Sequence, residues 1–186
     1  MALTESNMLP IGTLAPDFLL PDTVSGKILS INELCSKKAT IIMFICNHCP
    51  YVIHVKEEIV KLANDYQLQG VSLIAISSND VVKYPNDGPE AMTVFAKESG
   101  FTFPYLYDET QDVARAYDAA CTPDFYIFDG EKKLRYRGRL DDSRPRVENP
   151  KPVTGRDLRG ALNAILANQM ISEIQFPSMG CNIKWK

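Results

Sequence analysis

Apolar and polar positions along the chain fall into two rhythms. Thr40 to Ile45 is almost wholly apolar and of strand length, which predicts a strand buried on both faces. From Pro50 to Tyr66 the apolar residues Val52, Val55, Ile59, Leu62 and Tyr66 recur every three or four positions. Lys56, Glu57, Glu58 and Lys61 lie between them, so this stretch predicts an amphipathic helix. Val71 to Ser77 predicts a second buried strand after a stop at Gly70, and Asp80 to Gly88 a mostly polar loop. Pro89 opens and Gly100 closes a helix over Glu90 to Ser99. Phe101 to Tyr107 reads as extended and Gln111 to Tyr117 as a short helix.

Phe125 to Phe128 and Leu134 to Arg139 flank Asp129-Gly130 and predict a β-hairpin. Near the start, Ala15 to Pro21 is extended, and Ser30-Ile31-Asn32-Glu33 is a capping box that starts a short helix. Thr154 and Asp157 are expected to cap a last helix carrying Leu158, Leu162 and Ile165. Ile171 to Lys186 shows no period. This order predicts an α/β sandwich with a mixed central sheet flanked by helices, an N-terminal extension and a C-terminal tail. We expect one domain over residues 1–186, with a core of about 11–169 and a tail of 170–186.

Composition narrows the function classes. The 186 residues carry a formal net charge of −3, which argues against a dedicated nucleic-acid binder. The longest apolar run, Ile41 to Cys46, is far short of the roughly 20 residues a membrane span needs. Residues 1–10 show no secretory signal pattern, so a cytoplasmic address is expected. Five cysteines, an odd count, do not make a secreted disulfide framework.

Only Cys46 and Cys49 are closely spaced, in Cys46-Asn47-His48-Cys49, between a buried strand and an amphipathic helix. A helix start offers free N–H groups and partial positive charge, which stabilise a thiolate. A second cysteine three positions on can resolve a mixed disulfide. Pro50 places the helix start at about Asn47 to Cys49, with Asn47 a favourable N-cap. Which cysteine gains most from the helix stays open at this point. Zinc bound by the pair with His48, His54 or Cys121 is the minority alternative, since no second ligand pair is visible. Arg135, Arg137 and Arg139 alternate on one strand face, read first as an exposed face and second as an anion stripe.

Four strings carry a family resemblance: Gly12 to Phe18, Phe44 to Tyr51, Thr122 to Phe125, and Tyr136 to Asp141. Over about Ile11 to Gln169 the chain resembles the redoxin branch of the thioredoxin superfamily. That branch includes TlpA-like thiol-disulfide oxidoreductases and alkyl hydroperoxide reductase/thiol-specific antioxidant proteins. The resemblance implies a thioredoxin-like fold, Cys46 as nucleophile, Cys49 as resolver, and Pro123 as a cis-proline facing the dithiol. Peroxiredoxins carry Pro-x-x-x-Thr-x-x-Cys; with Cys49 at the cysteine position, Cys46 stands where threonine would and Ile42 where proline would.

The expected function is dithiol/disulfide exchange with protein or small-molecule disulfides, with electrons from a thiol donor. No bound cofactor or metal, no nucleic acid and no membrane are expected. The alternatives are a thiol-dependent peroxidase, and a non-enzymatic redox-sensing or metal-binding protein. His48 beside the dithiol is expected to make the disulfide oxidising. Thr122 and Asn47 are site-adjacent. Cys121 is expected to be nearer the dithiol, as a backup thiol, than Cys181, which is expected to be dispensable for turnover.

Overall fold

The computed structural model describes residues 3–186. In chain order its elements are β1 (Leu3–Glu5), β2 (Leu19–Pro21), β3 (Ile28–Ser30), α1 (Ile31–Leu34), β4 (Ala39–Phe44), α2 (Pro50–Gln67) and β5 (Val71–Ser77). There follow α3 (Pro89–Ser99), β6 (Tyr105–Tyr107), α4 (Asp112–Ala116), β7 (Cys121–Thr122), β8 (Asp124–Asp129), β9 (Leu134–Gly138), α5 (Arg156–Leu166) and β10 (Met179–Asn182). A single 3₁₀ turn, Pro85–Asp87, precedes α3.

The central sheet has the order β6-β5-β4-β8-β9. Strands β4, β5 and β6 run parallel, while β8 and β9 are antiparallel to their neighbours, so the sheet is mixed as the element order predicts. Because helices cover both faces, β4 cannot alternate apolar with polar residues. Ile41 and Met43 join one core, with residues of α2, α3 and α5. Ile42 and Phe44 join the other, with Val113 and Ala114 of α4 and Ile31 of α1. Both demands fall on one strand, which is why Thr40 to Ile45 is almost unbroken in its hydrophobicity.

Local signals mostly act where they stand. Ser30 and Glu33 form a reciprocal capping box on α1. Gly100 closes α3 at φ 76°, a left-handed conformation that favours glycine. Two starts differ from expectation. Cys49, not Asn47, is the N-cap of α2, with Pro50 at the first helical position. Gly155, not Thr154 or Asp157, caps α5, because Asp141 accepts from the Thr154 and Gly155 amides and fixes that turn from outside.

The larger difference is at the ends of the sequence. The tail read as patternless contains β10, the middle strand of a second sheet ordered β1-β10-β7. Its register sets Cys181 opposite Thr122 and Asn182 opposite Cys121. Gly180 permits this approach, since a Cβ there would lie 2.0 Å from the Thr122 carbonyl oxygen. The tail is thus built against the segment that precedes Pro123.

Candidate active site

Strand β4 ends at Phe44, and the Ile45 amide still bonds the Ile76 carbonyl, so Cys46 leaves the sheet from a fixed point. The chain then crosses Asn47-His48 and enters α2 at Cys49. The Thr122-Pro123 peptide is cis and faces this crossing. The Thr122 hydroxyl lies 3.5 Å from Cys46 Sγ. The Thr122 carbonyl oxygen lies 3.2 Å from Cys49 Sγ and accepts from it whenever Cys49 carries a proton. Cys46 and Cys49 are 1% and 0% exposed, in the core shared with Cys181.

Two buried sulfurs this close share their protons. The Cys46 thiol hydrogen-bonds the Cys49 sulfur, which pulls Cys49 down to about 5 despite its burial. The Cys181 thiol, the Thr122 hydroxyl and the Val52 amide of the first helical turn add to the effect. Cys46 moves the opposite way: the same hydrogen bond, its own burial and the Asp87 charge all raise it. In the resting monoanion the charge sits on Cys49 and the proton on Cys46. The lower member of the pair is thus Cys49, chiefly through the Cys46 thiol, with the helix start adding the Val52 amide.

The Asn47-His48 crossing is held by residues that no sequence pattern singled out. Asp87 is fully buried, and one carboxylate oxygen accepts from the amides of Asn47 (2.9 Å) and His48 (3.3 Å). Its other oxygen accepts from Asn79 Nδ2 at 2.8 Å and lies 2.6 Å from His48 Nδ1. The Asn47 side chain donates to the Asn86 carbonyl and accepts from the Tyr105 hydroxyl, so it braces the loop instead of capping the helix. His48 stacks on Tyr84 with ring centroids 5.6 Å apart. Asn79 in turn accepts from the Lys184 amide, just beyond β10, so the tail reaches Asp87 through one side chain. The only hints in the sequence were the turn-forming Pro85-Asn86-Asp87-Gly88 and its place in a polar loop.

The extra cysteines are placed otherwise than expected. Cys181, not Cys121, hydrogen-bonds the Cys49 sulfur. The Cys121 thiol instead faces the Pro123 carbonyl at 3.9 Å, and burial pushes it well above the ordinary thiol range. The reason is strand geometry: neighbours along β7 point to opposite faces, so Cys121 and Thr122 cannot both face the dithiol. Cys181, directly across from Thr122, shares its face.

Among the described residues, Cys46, His48 and Asp87 bring metal-ligating atoms within 4.8 Å of one another. His54 takes no part; its Nε2 lies 2.8 Å from the Ser143 hydroxyl. The arginine stripe is committed within the chain, Arg135 to Asp129, Arg137 to Gln175 and Arg139 to Asp157.

Residues 11–137 match the family model described as the AhpC/TSA family. A crystal structure of a conserved protein from Geobacillus kaustophilus is 57% identical, with a TM-score of 0.97 over 100% of this chain and 97% of that one. A protein from Sinorhizobium meliloti 1021 is 45% identical, with a TM-score of 0.94 over 98% of each chain. The thiol-disulfide oxidoreductase ResA of Geobacillus thermodenitrificans is 27% identical over 157 residues, 80% of this chain and 83% of that protein.

Proposed function

This chain belongs to the AhpC/TSA family, and from that premise we propose that it is a thiol-disulfide oxidoreductase working through Cys46 and Cys49. The observation that carries the reading is the dithiol set against Thr122-Pro123, with the Thr122 hydroxyl and carbonyl each engaging one sulfur. The likeness to ResA supports it.

The chemistry follows from the shared proton. Cys46 adjoins the Asn47-His48 crossing, where the His48 side chain is 22% exposed, whereas Cys49 lies deeper against Thr122. Cys46 attacks a substrate disulfide while its proton passes to Cys49. The Cys46–substrate disulfide forms, one substrate sulfur leaves as a thiolate, and Cys49–H turns to the Thr122 carbonyl. Cys49 then gives up that proton to the departing sulfur and attacks Cys46. The substrate is released reduced, and Cys46–Cys49 is left oxidised.

Substrates on this reading are protein or small-molecule disulfides, and a separate thiol returns the electrons. The odd cysteine count supports a reducing compartment, the cytosol, as the place of work. No described helix is long and apolar enough to cross a membrane.

A second reading, thiol peroxidase, is supported by the lowering of Cys49, the position a peroxiredoxin would use, and by Cys181 in the same buried cluster. Side-by-side assays of insulin-disulfide reduction and hydroperoxide consumption, with dithiothreitol as donor, separate the two. Disulfide reduction lost in Cys46→Ser supports exchange. Hydroperoxide turnover that persists in Cys46→Ser, without insulin reduction by wild type, supports the peroxidase.

A further inference from the structure

Strand β10 does more than close the site. It lays Cys181 across from Thr122, the residue whose carbonyl and hydroxyl hold the two reacting sulfurs. Helix α2, which begins at Cys49, packs against β10. Cys181 is 4% exposed and shares one apolar cluster with Cys46 and Cys49. Its thiol interacts with the Cys49 sulfur, so Cys49 has two thiol neighbours, Cys46 and Cys181. We propose that Cys181 is a second resolving thiol, which takes over Cys49 from the Cys46–Cys49 disulfide and returns Cys46 to its reduced form.

The step is an internal exchange and needs no outside oxidant. The Cys181 sulfur gives up its proton and attacks the Cys49 sulfur in line with the Cys46–Cys49 bond. That bond breaks, Cys49–Cys181 forms, and Cys46 leaves as a thiolate that takes the proton. One disulfide and one thiol stand on each side of this step, so electrons balance. Its physical effect is to store the disulfide beneath β10 while a fresh Cys46 thiol faces the Asn47-His48 crossing. The burial that raises Cys181 makes it a slow nucleophile, and contact with its target compensates by proximity.

This role rests on the exchange reading, and two measurements keep the two apart. Reduced wild type, Cys181→Ala and Cys46→Ser are each treated with one equivalent of diamide, blocked with N-ethylmaleimide and mapped by mass spectrometry without reduction. The expected result is a Cys49–Cys181 peptide pair in wild type and as the dominant product in Cys46→Ser. Labelling of Cys46 in oxidised wild type should fall to background in Cys181→Ala, where only Cys46–Cys49 can form.

The proposal is overturned if Cys46→Ser yields no Cys49–Cys181 pair, or if Cys46 is equally protected in wild type and Cys181→Ala. The insulin assay on wild type reports separately on the exchange reading. Inactivity there together with a Cys49–Cys181 pair would remove the function and keep the thiol pairing.

Discussion

Asp87 accepts from the His48 backbone amide at 3.3 Å and lies 2.6 Å from the ring Nδ1 of the same residue. The histidine between the two cysteines is thereby turned toward a buried carboxylate. The same carboxylate raises the Cys46 thiol by its charge. Asp87→Asn removes that charge while leaving an oxygen for the two loop amides. The expected outcome is a faster reaction of Cys46 with iodoacetamide at neutral pH, read site by site by mass spectrometry. Asp87→Ala strands several buried donors and should destabilise the fold by about 3–5 kcal/mol. Unchanged Cys46 reactivity in the asparagine variant would remove Asp87 from the electrostatics of the pair.

Cys49 falls from an ordinary 9.0 to about 5, which makes reduced-state stability depend on pH. The folded protein holds its proton less tightly than the unfolded chain does. This contribution is therefore fully present above about 9, shrinks as pH falls, and vanishes below about 5. Urea unfolding of the reduced protein should show wild type gaining on Cys49→Ser as pH rises between those limits. A constant difference across that window would contradict the thiolate assignment.

The same thiolate favours the reduced form, so the disulfide should be more oxidising than thioredoxin's, above roughly −270 mV. His48 Nδ1 faces Asp87, and the groups that lower Cys49 are the Cys46 and Cys181 thiols, the Thr122 hydroxyl and the Val52 amide. Glutathione titration should find the potential lowered by Thr122→Val, which removes one of those donors, and nearly unmoved by His48→Ala. The reverse ranking would restore the histidine as the source.

Gly180 has no room for a side chain, since its Cβ would meet the Thr122 carbonyl oxygen at 2.0 Å. Gly180→Ala should force β10 away from β7 at a cost of roughly 1–3 kcal/mol. We expect a lower unfolding midpoint together with faster alkylation of Cys46 and Cys49. An unaltered midpoint and rate would mean that the two strands separate freely already.

The central sheet was legible because its strands answer to local rules. The double-sided burial of β4 and the hairpin β8–β9 are written in runs of apolar residues and in Asp129-Gly130. The dithiol was legible for the same reason, with both cysteines in one short motif. Cys181 and Asp87 were not. Met179-Gly180-Cys181-Asn182 carries no alternation, and only its pairing with a two-residue strand makes it β10. Asp87 lies in a polar loop, and its meaning comes from contacts some forty positions back along the chain. Loop register and long-range pairing decide both positions, and neither leaves a periodic trace.

The β1-β10-β7 sheet also sets an order of events during synthesis. Residues 46, 87 and 122 have all left the ribosome before the strand that covers them. Until Met179–Asn182 emerges and docks, the nascent chain carries its reactive sulfurs without the β10 cover. A chain stopped short of Met179 would keep them so, offering thiols to any disulfide it meets. For this fold, the last strand made is the one that completes the wall of the dithiol site.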